Sequence, residues 1–139
     1  MDVLVLIGRI LFVVLFLGAS VNHLGKTAAM AGYAKSRGVP FATPATLATG
    51  TMLLFGGLSV LLGIWADLGA LVLFLFLVPT AVLMHAFWRE TEAGARQNEM
   101  LHFMKDLALG GASLMLFALI AHAGDELGLM ITAPLFTID

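Results

Sequence analysis

Four histidines, and one segment that sets a lysine beside an aspartate among apolar residues, are where this sequence concentrates reactive groups. His102, Lys105 and Asp106 are spaced so that, on a helix, Lys105 and Asp106 each lie one turn from His102 and share its surface. His23 ends one long apolar run and His85 lies near the end of another. If those runs cross a membrane in strict alternation, His23, His85 and His102 reach a similar depth at one face, with Asn22, Lys105 and Asp106 beside them. Imidazole, ammonium and carboxylate together can donate to carbonyl oxygens and pass protons, which is what a quinone head requires of its site. On this reading His85 and His102 donate to the ring oxygens, Asp106 orients or recharges a histidine, and Lys105 offsets negative charge. His23, Asn22 and Trp88 then belong to the binding walls.

A plainer reading of the same residues stands beside it. Lys105 and Asp106 can snorkel to water or pair with Arg89, Arg96 or Glu99, leaving the histidines as amphipathic caps at the interface. Metal chemistry fits less well. Glu99 and His102 reproduce the Glu-x-x-His spacing of carboxylate di-iron bundles, but Ser20, Val82 and Leu119 stand three before His23, His85 and His122, so no second pair exists. A lone metal on His23, His85 and His102, or haem between two of them, is chemically possible and disfavoured; no metal site is assigned. Without cysteine, the chain offers no disulfide, thiol relay or thiolate-held cluster. No phosphate-binding glycine loop, nucleophile elbow or strand pattern is present.

Four elements must position these residues. Of 139 residues, 60% are hydrophobic and only 12% charged, about half the charge of a soluble domain. Apolar stretches over about 3–24, 45–64, 68–87 and 98–123 are each long enough to span the hydrocarbon core as a helix. The predicted fold is all-α, a four-transmembrane-helix bundle in a single membrane domain over 1–139. A buried soluble bundle is the competitor, but a chain this short has no outer layer to cover four such helices. Pro44 suits the first turn of the second span, and Pro79 is expected to kink the third. Gly56-Gly57 and Ala108, Gly110, Gly111 and Ala112 would let helix backbones approach.

Charge sets the expected orientation. Lys26, Lys35, Arg37, Arg89 and Arg96 fall in the connections on one side, whereas the other side, with both termini and the turn at Trp65-Ala66-Asp67, has only Arg9. The positive-inside rule puts both termini outside. Arg9 is expected to pair with Asp67 or Asp125 as structural glue. The net charge of -2 and the absence of a basic stripe exclude a nucleic-acid surface.

Gly8-Arg9-Ile10-Leu11, the run into Gly18-Ala19-Ser20, Ala31-Gly32-Tyr33, Gly38-Val39-Pro40, Phe55-Gly56-Gly57 and Leu62-Gly63-Ile64-Trp65 together resemble the DoxX family. His85-Ala86-Phe87-Trp88 and the segment from His102 to Gly111 continue the likeness, which covers roughly residues 5 to 118. The resemblance implies a small four-helix protein of prokaryotic cytoplasmic membranes, in a quinone-linked or detoxifying redox context. It also places Arg9, His85, His102 and Lys105 in recurring family motifs. Asp106 departs from the family's usual Asn, and Thr51-Met52-Leu53-Leu54 stands where an acidic residue is often found.

Three functions follow as expectations: a membrane component of a quinone-linked oxidoreductase system, a non-catalytic anchor or assembly subunit for a redox partner protein, and a small transporter or lipid-binding protein. The partners expected are the lipid bilayer, a redox partner and further copies of the chain as a homo-oligomer.

Overall fold

The computed structural model describes residues 1–138. Five helices follow in chain order: α1 (Asp2–Gly25), α2 (Thr27–Ser36), α3 (Ala42–Leu62), α4 (Ala66–Met84) and α5 (Ala93–Ala123). Single 3-10 turns lie at Phe87–Arg89 and Gly124–Glu126. α1, α3, α4 and α5 are the four helices long and apolar enough to cross a membrane. Leu4, Leu11, Val14, Leu101, Met104 and Met115 point outward from them, as the lipid-facing side chains of a bundle do, where no water is available to favour turning them inward.

α1 packs on α3, α3 on α4 and α4 on α5. Val13 and Phe16 of α1, Leu53 and Val60 of α3, and Ala70, Leu73 and Leu77 of α4 form the core. α3 is central because adjacent glycines serve both of its neighbours. A methyl on Gly57 would come within 2.8 Å of Leu17 in α1, and one on Gly56 within 2.7 Å of Leu73 in α4. The backbones therefore meet where any side chain would hold them apart.

Two features differ from the sequence reading. The connection between the first and second spans contains α2, a short helix whose Ala31 and Ala34 are buried as it lies against α3. An alanine-rich run has the helix propensity for this without the length to span. The last helix also starts earlier than residue 98, at Ala93, where the Glu92 side chain accepts from the amides of Gly94 (2.8 Å) and Ala95 (2.6 Å). Those are two of the orphan donors at a helix start. Both amides hold the Glu92 carboxyl below the usual carboxylate range.

At the end of the bundle that holds both termini, the expected ion pair of Arg9 is replaced by something else. Arg9, only 2% exposed, donates to three backbone carbonyls: Val60 (2.7 Å), Leu61 from its second terminal nitrogen (2.6 Å) and Leu129 (2.8 Å). Val60 and Leu61 lie in the last turn of α3, whose carbonyls have no helical donor and whose dipole favours a cation. Asp67, fully buried, accepts from the amides of Leu135 (2.8 Å) and Phe136 (2.7 Å). The C-terminal segment is thereby strapped across the α3–α4 turn. Ile131 and Thr132 add amide bonds to the Gly63 carbonyl, both at 3.0 Å. Gly63 ends α3 with φ +69° and would put a methyl 2.7 Å from the Met130 backbone, so both conformation and space require glycine.

Candidate functional site

The opposite end of the bundle encloses a cavity of about 620 Å³. Its walls are mostly apolar, with Leu53 and Met52 from α3 and Leu75, Phe76 and Leu77 from α4 among them. α2 covers one side with Met30, Tyr33 and Ala34. Polar groups come from several helices: Asn22 and His23 on α1, Thr46 and Thr49 on α3, Thr80 on α4, His85 just past its end, and His102, Lys105 and Asp106 on α5. Six of the seven site residues expected from sequence thus line one cavity. Trp88 does not. It is half exposed and packs edge-on against Phe87 and Phe103, with ring centres 5.2 and 5.6 Å away.

Local folding explains the placement. On α5, Glu99, Asp106, Gly110 and Ser113 form a buried stripe at helical spacing, facing α4. α4 ends at Met84, and the amide of His85 closes its last turn on the Ala81 carbonyl. The chain then turns through Phe87–Arg89, leaving the His85 ring directed at that stripe. Pro79 lies within α4 on the cavity wall and supplies no amide to the carbonyl four residues earlier, that of Leu75, which also lines the cavity.

The polar groups form a connected line. Arg37, following α2, pairs with Glu90 and with Glu99. Glu90 in first place, and Tyr33 after it, raise the guanidinium further above its already high range, so this cation is permanent. Glu99 Oε2 lies 2.8 Å from His85 Nδ1, and His85 Nε2 lies 3.6 Å from Asp106 Oδ2. Lys105 Nζ is 3.5 Å from Asp106 Oδ1 and 3.4 Å from His102 Nδ1. The rings of His85 and His102 stack with centres 5.0 Å apart. Haem held between those two would require them to separate. Among the described residues, no three His, Asp or Glu groups form a set able to hold a metal ion.

The consequence is chemical. Three carboxyl groups, on Glu90, Glu99 and Asp106, alternate along the line with the basic side chains of Arg37, His85 and Lys105. Both nitrogens of His85 face carboxylate oxygens. A neutral ring donates to one and turns a lone pair to the other, whereas a doubly protonated ring donates towards both.

The sequence reading weighed Glu99 as half of a metal motif and as an ion-pair partner, and assigned neither Tyr33 nor Arg37 to the site. Glu99 carried a usable signal, because it falls three and seven residues before His102 and Asp106 on the same helical face. Tyr33 and Arg37 carried none until α2 placed them.

A model of the DoxX family, described as DoxX, matches residues 4–86, well over half of the chain. The match takes in α1 to α4 and His85, and stops short of His102, Lys105 and Asp106 on α5. No curated protein and no solved structure matches the chain. With four membrane-spanning helices and a family model that covers most of them, the chain belongs to the DoxX family of membrane proteins.

Proposed function

We propose that this protein is a membrane component of a quinone-linked oxidoreductase system, with the cavity as the site of the ring. The observation that carries this reading is the line of titratable side chains from Arg37 at one interface to Asp106 and His102 on the cavity wall. The donor set fits: apolar walls suit a ring and an isoprenoid stem, and His102 and Lys105 are hydrogen-bond donors at the polar end. A bound quinone supplies the exchange of electrons together with protons. His85 holds a proton between Glu99 and Asp106 and releases it to either side. Asp106 keeps Lys105 and His85 at the cavity, and Arg37 fixes Glu99 at the outer end of the line. His23 and Asn22 line the α1 wall.

The five basic residues of the connections support an orientation with this polar end cytoplasmic and both termini outside. The protons of the reaction are then exchanged with the cytoplasm through Glu99. The reading makes one membrane domain of the whole chain, and leaves the electron donor or acceptor to a redox partner protein or to a second copy.

The test is mass spectrometry on protein purified in mild detergent. Stoichiometric quinone in the wild type, lost in His102→Ala while the variant still inserts and folds, is the expected result. Wild-type protein that carries a second polypeptide and no quinone would replace this reading with that of a non-catalytic anchor.

A further inference from the structure

His23 and His102 line the same cavity, and their neighbours decide which nitrogen of each ring carries the proton. His23 Nδ1 lies 3.0 Å from Thr49 Oγ1. The Thr49 hydroxyl has a single hydrogen, and the Ala45 carbonyl one turn back on α3, 2.8 Å away, accepts it. The hydroxyl oxygen is left to accept, so His23 Nδ1 donates. In the neutral ring Nε2 is then a bare lone pair.

His102 has the reverse arrangement. Its Nδ1 lies 3.4 Å from Lys105 Nζ, and an ammonium can only donate. Nδ1 accepts, and Nε2 carries the hydrogen. The cavity therefore offers an acceptor from α1 and a donor from α5.

We propose that the cavity selects ring ligands bearing a free hydroxyl, with the hydroxyl donating to His23 Nε2 and a second ring oxygen accepting from His102. This rests on the reading of the cavity as a quinone-class ring site, and it assigns the site's preference to the hydroxylated, reduced member of the couple. A carbonyl oxygen placed at His23 meets lone pair with lone pair, whereas a hydroxyl satisfies both. His23 is thus the specificity-determining acceptor, and Thr49 is a positioning residue that acts through it.

The experiment uses the full chain in detergent and a redox-inert pair of probes, 4-butylphenol and its methyl ether. They share a ring and a tail and differ in the donor hydrogen. Wild type is expected to bind the phenol about tenfold more tightly, the value of one net hydrogen bond. His23→Phe should bring the ratio close to one, and Thr49→Val, which leaves the His23 ring in place but frees its tautomer, should reduce it. Nitrogen-15 spectra of the histidines should show His23 protonated at Nδ1 and His102 at Nε2. Equal binding of the two probes by the wild type overturns the selection while leaving the ring site standing. Binding of neither overturns the ring site and the selection with it. A His23 ring protonated at Nε2 overturns the selection independently of any variant's folding.

Discussion

The two ends of this bundle both bury charge, and they do so in opposite ways. At the end with the termini, Arg9 and Asp67 are held by backbone groups, three carbonyls for one and two amides for the other. At the cavity end, Glu99 and Asp106 are held by side chains, and almost every partner is itself ionisable. A backbone partner has one chemical state, so it fixes a charge and the chain around it. An ionisable partner can trade protons with the charge it holds while both stay where they are. Burial of charge alone therefore does not mark a working site; on the proposed function, it is the chemistry of the partners that does.

That contrast can be broken most directly at Arg9. Arg9→Ala orphans three carbonyls at once, and a loss on the order of 3 kcal/mol is expected, read as a lower unfolding temperature in detergent. A variant as stable as wild type would remove the structural half of the comparison. Glu99→Gln addresses the other half. On the proposed function it keeps the shape but cuts the proton line, so quinol turnover should fall by about a hundredfold, while the charge lost from its bonds costs about 1 kcal/mol of stability. A matching drop in stability would make the cavity end structural too.

Asp67→Asn sharpens the first half. One oxygen can still accept from Leu135 and Phe136, but the bonds lose their charge, at a cost of about 1 kcal/mol. The smallest effect belongs to Glu92. Its carboxyl titrates lower when folded than when unfolded because the Gly94 and Ala95 amides stabilise the charged form. Its contribution is therefore complete above the ordinary carboxylate range and is lost as pH falls through the depressed folded value. Amide exchange at Gly94 and Ala95, referenced to neighbouring α5 amides, should become relatively faster as pH falls below the ordinary carboxylate range. The same change should be absent in Glu92→Gln.

Much of this was legible from residue types. Apolar length marks the four long helices, and alternation of spans fixes the depth at which His23, His85 and His102 lie. Depth is what brings six expected site residues to one cavity. α2 was hidden because it buries only two alanines, a face too small to register as amphipathic. With it went Tyr33 and Arg37, whose roles depend on where that helix lies. Trp88 shows the limit of depth as an argument: it is at the right level but turned into an aromatic cluster with Phe87 and Phe103. The partners of Arg9 left no trace for another reason. Backbone carbonyls belong to every residue, so a cation that seeks them has no complementary letter in the sequence.

The clasp on Arg9 also bears on the order of synthesis. The carbonyls of Val60 and Leu61 leave the ribosome about fifty residues after the arginine, and that of Leu129 follows it by 120 residues. Until α3 follows it, α1 carries an unsatisfied cation within an apolar stretch, a state that disfavours settling deep in the bilayer. The clasp on α1 is consequently closed only after α5 has been made, and a ribosome stalled before residue 129 leaves it one carbonyl short.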